Sequence, residues 1–355
     1  MRAATFATGL ALALGLVLCA AAPAPAQAVT WGLAGYDAGK AELDGAVRLG
    51  RPILRVEFDT RRRVASGVFD GRYSAATRRG LRFLALAGFP RRTPTVREAA
   101  TFCGAMAARY GPRGTFWSQR RGRATSALTV IEWGNETNGA YQYGDTYLDA
   151  SYARRAQRYG RNAVACGQAA APHGVGVLAI AGDGGDRSSA WTDNVFAGAP
   201  DIDRHVIGWT VHPYGPGVAR DDPESTLHRA DRQLAGRSTR PFWITEWGLA
   251  TDDGRCLGDN YGWPRCMTYR AADAALRATI RAIRLRWERR PERPVTAFFY
   301  YQYKDQRDPR ISGRREHYFG LLQNDTVSPK LPLFSTYRSW IVSRPFVPAL
   351  IETPL

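Results

Sequence analysis

Two stretches of the chain deliver a carboxylate at the end of an apolar approach. Residues 127–136 read ALTVIEWGNE and residues 241–248 read PFWITEWG, placing Glu136 and Glu246 just beyond strand-like runs. A pair of carboxylates is the minimum equipment for hydrolysing a glycosidic bond. One protonates the leaving oxygen, and the other attacks the anomeric carbon or activates water. The two must differ in pKa, so their surroundings must differ. Tyr, Arg and Trp side chains near Glu246 would keep it ionised, and its charge would help hold Glu136 protonated. A lone Glu is usually a solvated surface residue. Two of them, each after an apolar and aromatic run, are better read as a site. Glu132, four residues before Glu136, reads as an outward or helix-pairing residue and is the rival acid. Asn135-Glu136-Thr137 is also an N-glycosylation sequon, but a strand end in a cleft is a poor acceptor; Asn324-Asp325-Thr326, in a turn-like segment, would be the better one.

Eight apolar runs could position such residues: 29–35, 52–58, 81–88, 127–134, 175–182, 206–215, 241–248 and 295–303. Between and after them lie amphipathic segments at 96–111, 151–171, 223–236, 269–290 and 333–343. The third of these opens on Ser225, a plausible N-cap, with His228 at the position where a capping box would carry Glu. The segments after the first two strands are poorly patterned. Continuous apolar strands alternating with helices argue a parallel sheet, and eight such units argue a closed (β/α)8 TIM barrel of the α/β class. No G-x-G-x-x-G follows the first strand, which weakens a dinucleotide-binding alternative. No linker-like composition interrupts residues 29–355, so a single domain is expected.

Functional residues of such a barrel lie at the C-terminal ends of its strands. Those ends carry Arg55 and Glu57 on the second strand, Asn135 and Glu136 on the fourth, and His212 and Tyr214 on the sixth. The seventh carries Glu246 and Trp247, and the eighth Tyr301, Gln302 and Tyr303. Trp and Tyr offer flat faces on which sugar rings stack and polar edges for hydroxyls. Trp263, in a loop after the seventh strand, is a further stacking candidate, whereas His173, His205, His228 and His317 read as ordinary structural histidines.

Residues 1–28 have the form of a secretory signal peptide. Arg2 precedes the apolar stretch GLALALGLVLCAAA, and the segment ends in Ala26-Gln27-Ala28. An exported, extracellular protein is therefore expected. No later run is long and apolar enough to cross a membrane. The formal charge is +17 and rests almost wholly on arginine, with lysine only at Lys40, Lys304 and Lys330. The arginines are scattered over helical segments instead of forming one tail or stripe, so solvated helix faces are expected and nucleic acid is not. Besides Cys19 there are four cysteines. Cys256 and Cys266 bracket a short loop and are the likelier disulfide, while Cys103 with Cys166 would join two helices. Neither the cysteines nor the five histidines have metal-type spacing.

The chain resembles the retaining glycoside hydrolases of clan GH-A, with families 39 and 5 the nearest types. WGNETN resembles the clan's W-N-E-P-N type motif, and WITEWG its T-E-x-G motif. The resemblance implies that Glu136 is the general acid/base, Glu246 the nucleophile, and Asn135 a ligand of the sugar 2-hydroxyl. Arg55 matches the clan's arginine near the nucleophile. His212 and Tyr214 match its His-x-Tyr pair, whose tyrosine touches the nucleophile. YFGLLQNDTVSPKLPLFSTY is similar to the closing segment. Gly134 and Thr137 stand where the clan usually has Trp and Pro, and Tyr301 or Gln302 takes the place of a tryptophan on strand eight. The implied activity needs no cofactor or metal and acts on an oligo- or polysaccharide; a monomer is expected. Two other readings compete: a non-catalytic carbohydrate-binding barrel of the cell envelope, and a basic polymer-binding protein.

Overall fold

The computed structural model describes residues 29–343, apart from 36–37, 90–91, 119–123, 140–142, 146, 183–188, 256–266, 307–314 and 326. The proposed leader, the Cys256–Cys266 pair and Trp263 lie outside the described residues. Eight parallel strands close a barrel in chain order: β1 (Thr30–Ala34), β2 (Ile53–Asp59), β3 (Arg82–Gly88), β4 (Val130–Trp133), β5 (Gly176–Ile180), β6 (Gly208–Val211), β7 (Phe242–Trp247) and β8 (Val295–Tyr301). Pairing of β1 with β8 shuts the ring. One α-helix follows each strand among the described residues: α1 (Lys40–Leu49), α2 (Asp70–Thr77), α3 (Val96–Tyr110), α4 (Ala150–Ala170), α5 (Ala190–Gly198), α6 (Thr226–Leu234), α7 (Tyr269–Arg289) and α8 (Leu333–Ser343). The α/β, single-domain TIM barrel expected from the sequence is the fold observed.

The two poorly patterned segments are α1 and α2. Their weak patterning has a structural counterpart, because α2 buries only Tyr73 and Ala76, and two of the four residues that α1 buries, Gly45 and Ala46, are too small to mark an apolar face beside Leu43 and Leu49. Gly45 is needed at its place: a Cβ there would lie 1.9 Å from the Tyr303 ring. Caps explain other helix starts. Thr95 and Glu98 form a reciprocal capping box on α3, and Ser225 accepts from the His228 amide at the start of α6.

Alternation along the strands divides the core in two. Outward residues such as Leu54, Val56, Phe58, Ile131, Trp133, Trp209, Ile244 and Phe298 pack under the helices. Inward residues Ala34, Leu84, Val130, Leu178, Ala297 and Phe299 fill the barrel. Phe299 takes the space that a side chain on Gly32 would occupy, since a Cβ there would approach its ring to 2.1 Å. Above this apolar plug the inward positions turn polar: Arg55, Glu132, Thr210 and Thr245 are all fully buried.

One irregularity matters for function. Ile244 pairs with Phe298 and Trp247 with Tyr300, three steps along β7 against two along β8. The extra residue is a β-bulge, which re-aims side chains next to sites. Strict alternation from the inward Trp243 and Thr245 would turn Glu246 outward and Trp247 inward. The bulge reverses this.

Two ties hold elements across the sequence. Cys103 of α3 is joined to Cys166 of α4 by a disulfide with a Cα–Cα distance of 5.1 Å. The second tie is Lys330, one of three lysines and fully buried. Its ammonium donates to Thr251 O at 2.7 Å, Asp305 Oδ1 at 2.6 Å and Tyr318 O at 2.9 Å. Three donors meet three acceptors, a geometry that suits a point-like ammonium better than a planar guanidinium. The tie clamps the chain after β7, the chain after β8 and the approach to α8 together on the barrel mouth.

Burial pushes the Asp305 carboxyl up to about 6, against the opposing pull of Lys330. This lies above the value of an unstructured Asp, about 3.9. The folded chain therefore keeps a proton that the unfolded chain has lost between roughly pH 4 and 6. The stability from this group is fully present below that window and is lost as pH rises through about 6. Thermal melts at stepped pH should show Asp305→Asn losing this part of the pH dependence; parallel wild-type and variant curves would contradict it. Replacing both Cys103 and Cys166 by Ala should cost roughly 2–4 kcal/mol, because the bridge closes a long loop of the unfolded chain. A thermal midpoint unchanged from wild type would show that the bridge does not act in this way.

Candidate active site

The polar layer opens at the C-terminal ends of the strands into a cluster built around Arg55. From β2 its guanidinium donates side-on to Glu132, Nε to Oε2 at 2.5 Å and Nη2 to Oε1 at 3.0 Å. Nη1 donates to Glu246 Oε1 at 2.5 Å, and Nη2 also to Asn135 Oδ1 at 2.7 Å. The hydroxyl of Tyr214 donates to the other Glu246 oxygen, Oε2. Glu246 is thus held from both sides, with 4% of its side chain exposed.

Glu136 reaches the same place by a different route. Beyond β4 the chain turns at Gly134, φ +83°, where a Cβ would lie 2.6 Å from Thr137 and 2.8 Å from Phe89. A larger residue is excluded by both conformation and space. Glu136 itself is left-handed, φ +41°, and its carbonyl accepts from the Gly139 amide at 2.8 Å. Non-glycine residues held in this region are uncommon and gather at functional sites. The turn aims Asn135 and Glu136 into the mouth. Glu136 Oε1 meets His212 Nδ1 at 2.9 Å and keeps 18% of its side chain exposed. His212, following β6, also reaches Thr245 Oγ1 through Nε2 at 3.1 Å, and Thr245 donates to Glu132 Oε1 at 2.9 Å.

A carboxylate oxygen from each of Glu136 and Glu246 and a ring nitrogen of His212 lie within 4.8 Å of one another. A metal could be spaced this way. However, the carboxylate oxygens already have partners on Arg55, Tyr214 and His212, and the guanidinium supplies the positive charge. The arrangement fits a proton donor facing an anion across a narrow gap.

The structure brings Arg55, Asn135, Glu136, His212, Tyr214 and Glu246 together. Tyr301, at the end of β8, is half-buried with its ring centroid 6.0 Å from Tyr214 and forms part of the rim. Gln302 is joined to Tyr301 by a cis peptide bond and accepts from Gln306 Nε2 at 2.9 Å, while its own buried Nε2 has no partner among the described residues. With Gly35, Arg55 and Gln306 it lines a cavity of about 150 Å³. Glu57 lies on the inner side of β2 against Gly88.

Two expectations change, those for Trp247 and Glu132. Trp247 is not a substrate ligand: the bulge turns it to the helix side, where it is fully buried against Phe298 and Tyr300 and donates to Gly215 O at 3.2 Å. Tyr303, also in the helix-side core, is packed under α1 and takes a hydrogen bond from Arg48 at 2.5 Å; the sequence assigns it no site role. Glu132 points inward, not outward, fully buried and paired with Arg55. Its inward direction follows by alternation from Val130, two residues earlier. Thr245 and Phe319 were not foreseen. Phe319 packs on Tyr214 at 5.4 Å and on Tyr301 at 5.7 Å, and arrives from the closing segment, far along the chain from Tyr214.

No protein-family model and no curated protein matches the chain. Solved structures do. GH5_18 from Streptomyces cattleya in complex with GlcNAc is 17% identical with a TM-score of 0.56, the match covering 90% of this chain and 82% of that one. The endo-beta-1,4-mannanase from Thermotoga petrophila is 13% identical with a TM-score of 0.51, covering 90% and 78%. A beta-glucosidase from Exiguobacterium marinum is 11% identical with a TM-score of 0.50, covering 86% of each chain. At these identities the likeness establishes a shared barrel fold.

Proposed function

We propose that this chain is an exported retaining β-glycoside hydrolase that cleaves an oligo- or polysaccharide by double displacement. The observation that carries the reading is the close approach of two carboxylates in unlike surroundings, with oxygens within 4.8 Å of one another. Retaining enzymes hold their carboxyl groups roughly 5–5.5 Å apart, whereas inverting enzymes leave about 6.5–9.5 Å for a water. The glycosidase names of the structural neighbours agree with the reading, as does a disulfide, which persists in oxidising compartments.

Each side chain then has a task. Glu246, pinned by Arg55 and Tyr214, presents an anionic oxygen to the anomeric carbon. As it attacks, Glu136 gives its proton to the departing glycosidic oxygen, so the C–O bond breaks while an O–H bond forms. The glycosyl ester on Glu246 is cleaved when Glu136 takes a proton from water and the water oxygen bonds to the anomeric carbon, releasing the Glu246 carboxylate. Asn135, oriented by Arg55, binds the sugar 2-hydroxyl in this reading. Tyr301 offers a face for stacking.

Glu246→Ala should abolish turnover of aryl β-glycosides while leaving the circular dichroism spectrum unchanged; wild-type activity in this variant would overturn the assignment. Glu136→Ala should lower kcat/KM by roughly 10²–10⁴-fold for substrates with poor leaving groups. Added azide should restore turnover of activated substrates by yielding the β-glycosyl azide, and an α-configured azide would refute double displacement. Sugar binding with no turnover on any activated glycoside would favour the non-catalytic barrel instead.

A further inference from the structure

The catalytic scheme leaves Glu132 and Thr245 without a task, yet both are fully buried beside the two carboxylates. Their hydrogen bonds have only one consistent direction. Glu132 receives Arg55 side-on through both oxygens, so it is a carboxylate and can only accept. Thr245 Oγ1 lies 2.9 Å from Glu132 Oε1 and must spend its single proton there. Toward His212, 3.1 Å away, the same hydroxyl is left as an acceptor. The Nε2 of His212 must therefore carry a hydrogen. On the opposite side of the ring, Nδ1 faces Glu136 Oε1 at 2.9 Å. A neutral ring with its hydrogen on Nε2 offers only a lone pair at Nδ1, and a carboxylate offers only lone pairs too. The contact is attractive only when one proton lies between them.

We infer that Glu132 and Thr245 act as positioning residues that fix the His212 hydrogen on Nε2, so that Glu136 and Nδ1 of His212 share a single proton in the free protein. Only the kinetic consequence of this rests on the glycosidase reading. The charged and titratable groups around the ring agree with it. Glu136 lies beyond the end of β4, Glu246 on β7 stands 3.8 Å from Nδ1, and Glu132 on β4 stands 3.9 Å from Nε2 with Arg55 of β2 behind it. Tyr214, with its ring 6.4 Å away, is engaged on Glu246. Three carboxylates and one guanidinium favour a proton held in this group. When Glu136 has given its proton to the leaving oxygen, the proton later taken from water can rest on either Oε1 or Nδ1, so the pair is reloaded as one acid.

Nitrogen-15 NMR of the histidine rings in the full chain tests this without requiring activity. His212→Asn identifies the signals among the five histidines. In wild type, Nε2 of His212 should remain protonated across the titration while Nδ1 alone changes. Thr245→Val, which keeps the shape and removes the hydroxyl, should shift Nε2 toward the average of the two tautomers, and Thr245→Ser should restore the wild-type position. If Thr245→Val does not fold, the wild-type spectrum still decides: a bare Nε2 with a fixed hydrogen on Nδ1 overturns the inference, as does a Thr245→Val spectrum identical to wild type. The kinetic arm expects Thr245→Val to lose about tenfold or more in kcat/KM on a poor leaving group. A dinitrophenyl glycoside, whose leaving group needs no proton, should be nearly unaffected. Spectra as expected with no glycoside cleaved would sink the glycosidase reading and leave the relay standing. Cleavage with the reverse tautomer would do the opposite.

Discussion

A fully buried guanidinium at the top of the barrel is the constraint around which this site is arranged. Arg55 has no access to water, and a charge in that position is tolerated only when it is paired and its donors are used. Its partners come from two other strands and one turn: Glu132 on β4, Glu246 on β7 and Asn135 just beyond β4. Removing any of these would leave part of the cation unsatisfied, so the charge fixes three side chains at once. Two carboxylates on one guanidinium leave a net negative charge. The Tyr214 hydroxyl, donating to Glu246, helps spread it.

The scaffold is built to hold that layer still. The apolar plug beneath it excludes water from below, and the helix-side core presses the strands from outside. Precision at the rim needs more, because loops carry fewer buried contacts than strands. The Lys330 ammonium joins three of these rim segments through one satisfied buried charge. In a chain that otherwise prefers arginine, a lysine at this point follows from the shape of the hole, which has three acceptors around a single nitrogen.

The eight-strand plan and most of the cluster were legible before any coordinates, because both depend on local pattern. Continuous apolar runs mark strands buried on both faces, and polar residues at their ends mark the mouth. Glu136, Glu246, Arg55, His212 and Tyr214 all came from that reading. Trp247 did not survive, because a bulge is a change of register between two strands and leaves no trace in either sequence alone. Glu132 was misread for the opposite reason: alternation from Val130 does place it inward, but a carboxylate inside a barrel looks improbable until Arg55 is seen beside it. The partnership spans 77 positions. Phe319 and the Lys330 tie are equally non-local, whereas α2 was faint because it buries only two residues and α1 because two of the four it buries are Gly45 and Ala46.

The same bulge that misled the reading of Trp247 explains how one strand serves two functions. Without it, β7 could turn only one of Thr245 and Glu246 toward the interior. With it, Thr245 reaches down to Glu132 while Glu246 reaches across to Arg55 and Tyr214. One carboxylate is thereby enclosed by a cation and a hydroxyl that both donate to it. The other, Glu136, sits on a left-handed turn at the open side with a histidine nitrogen as neighbour. Two identical side chains therefore meet unlike neighbours: an irregular strand places one on the guanidinium, and a left-handed turn keeps the other away from it.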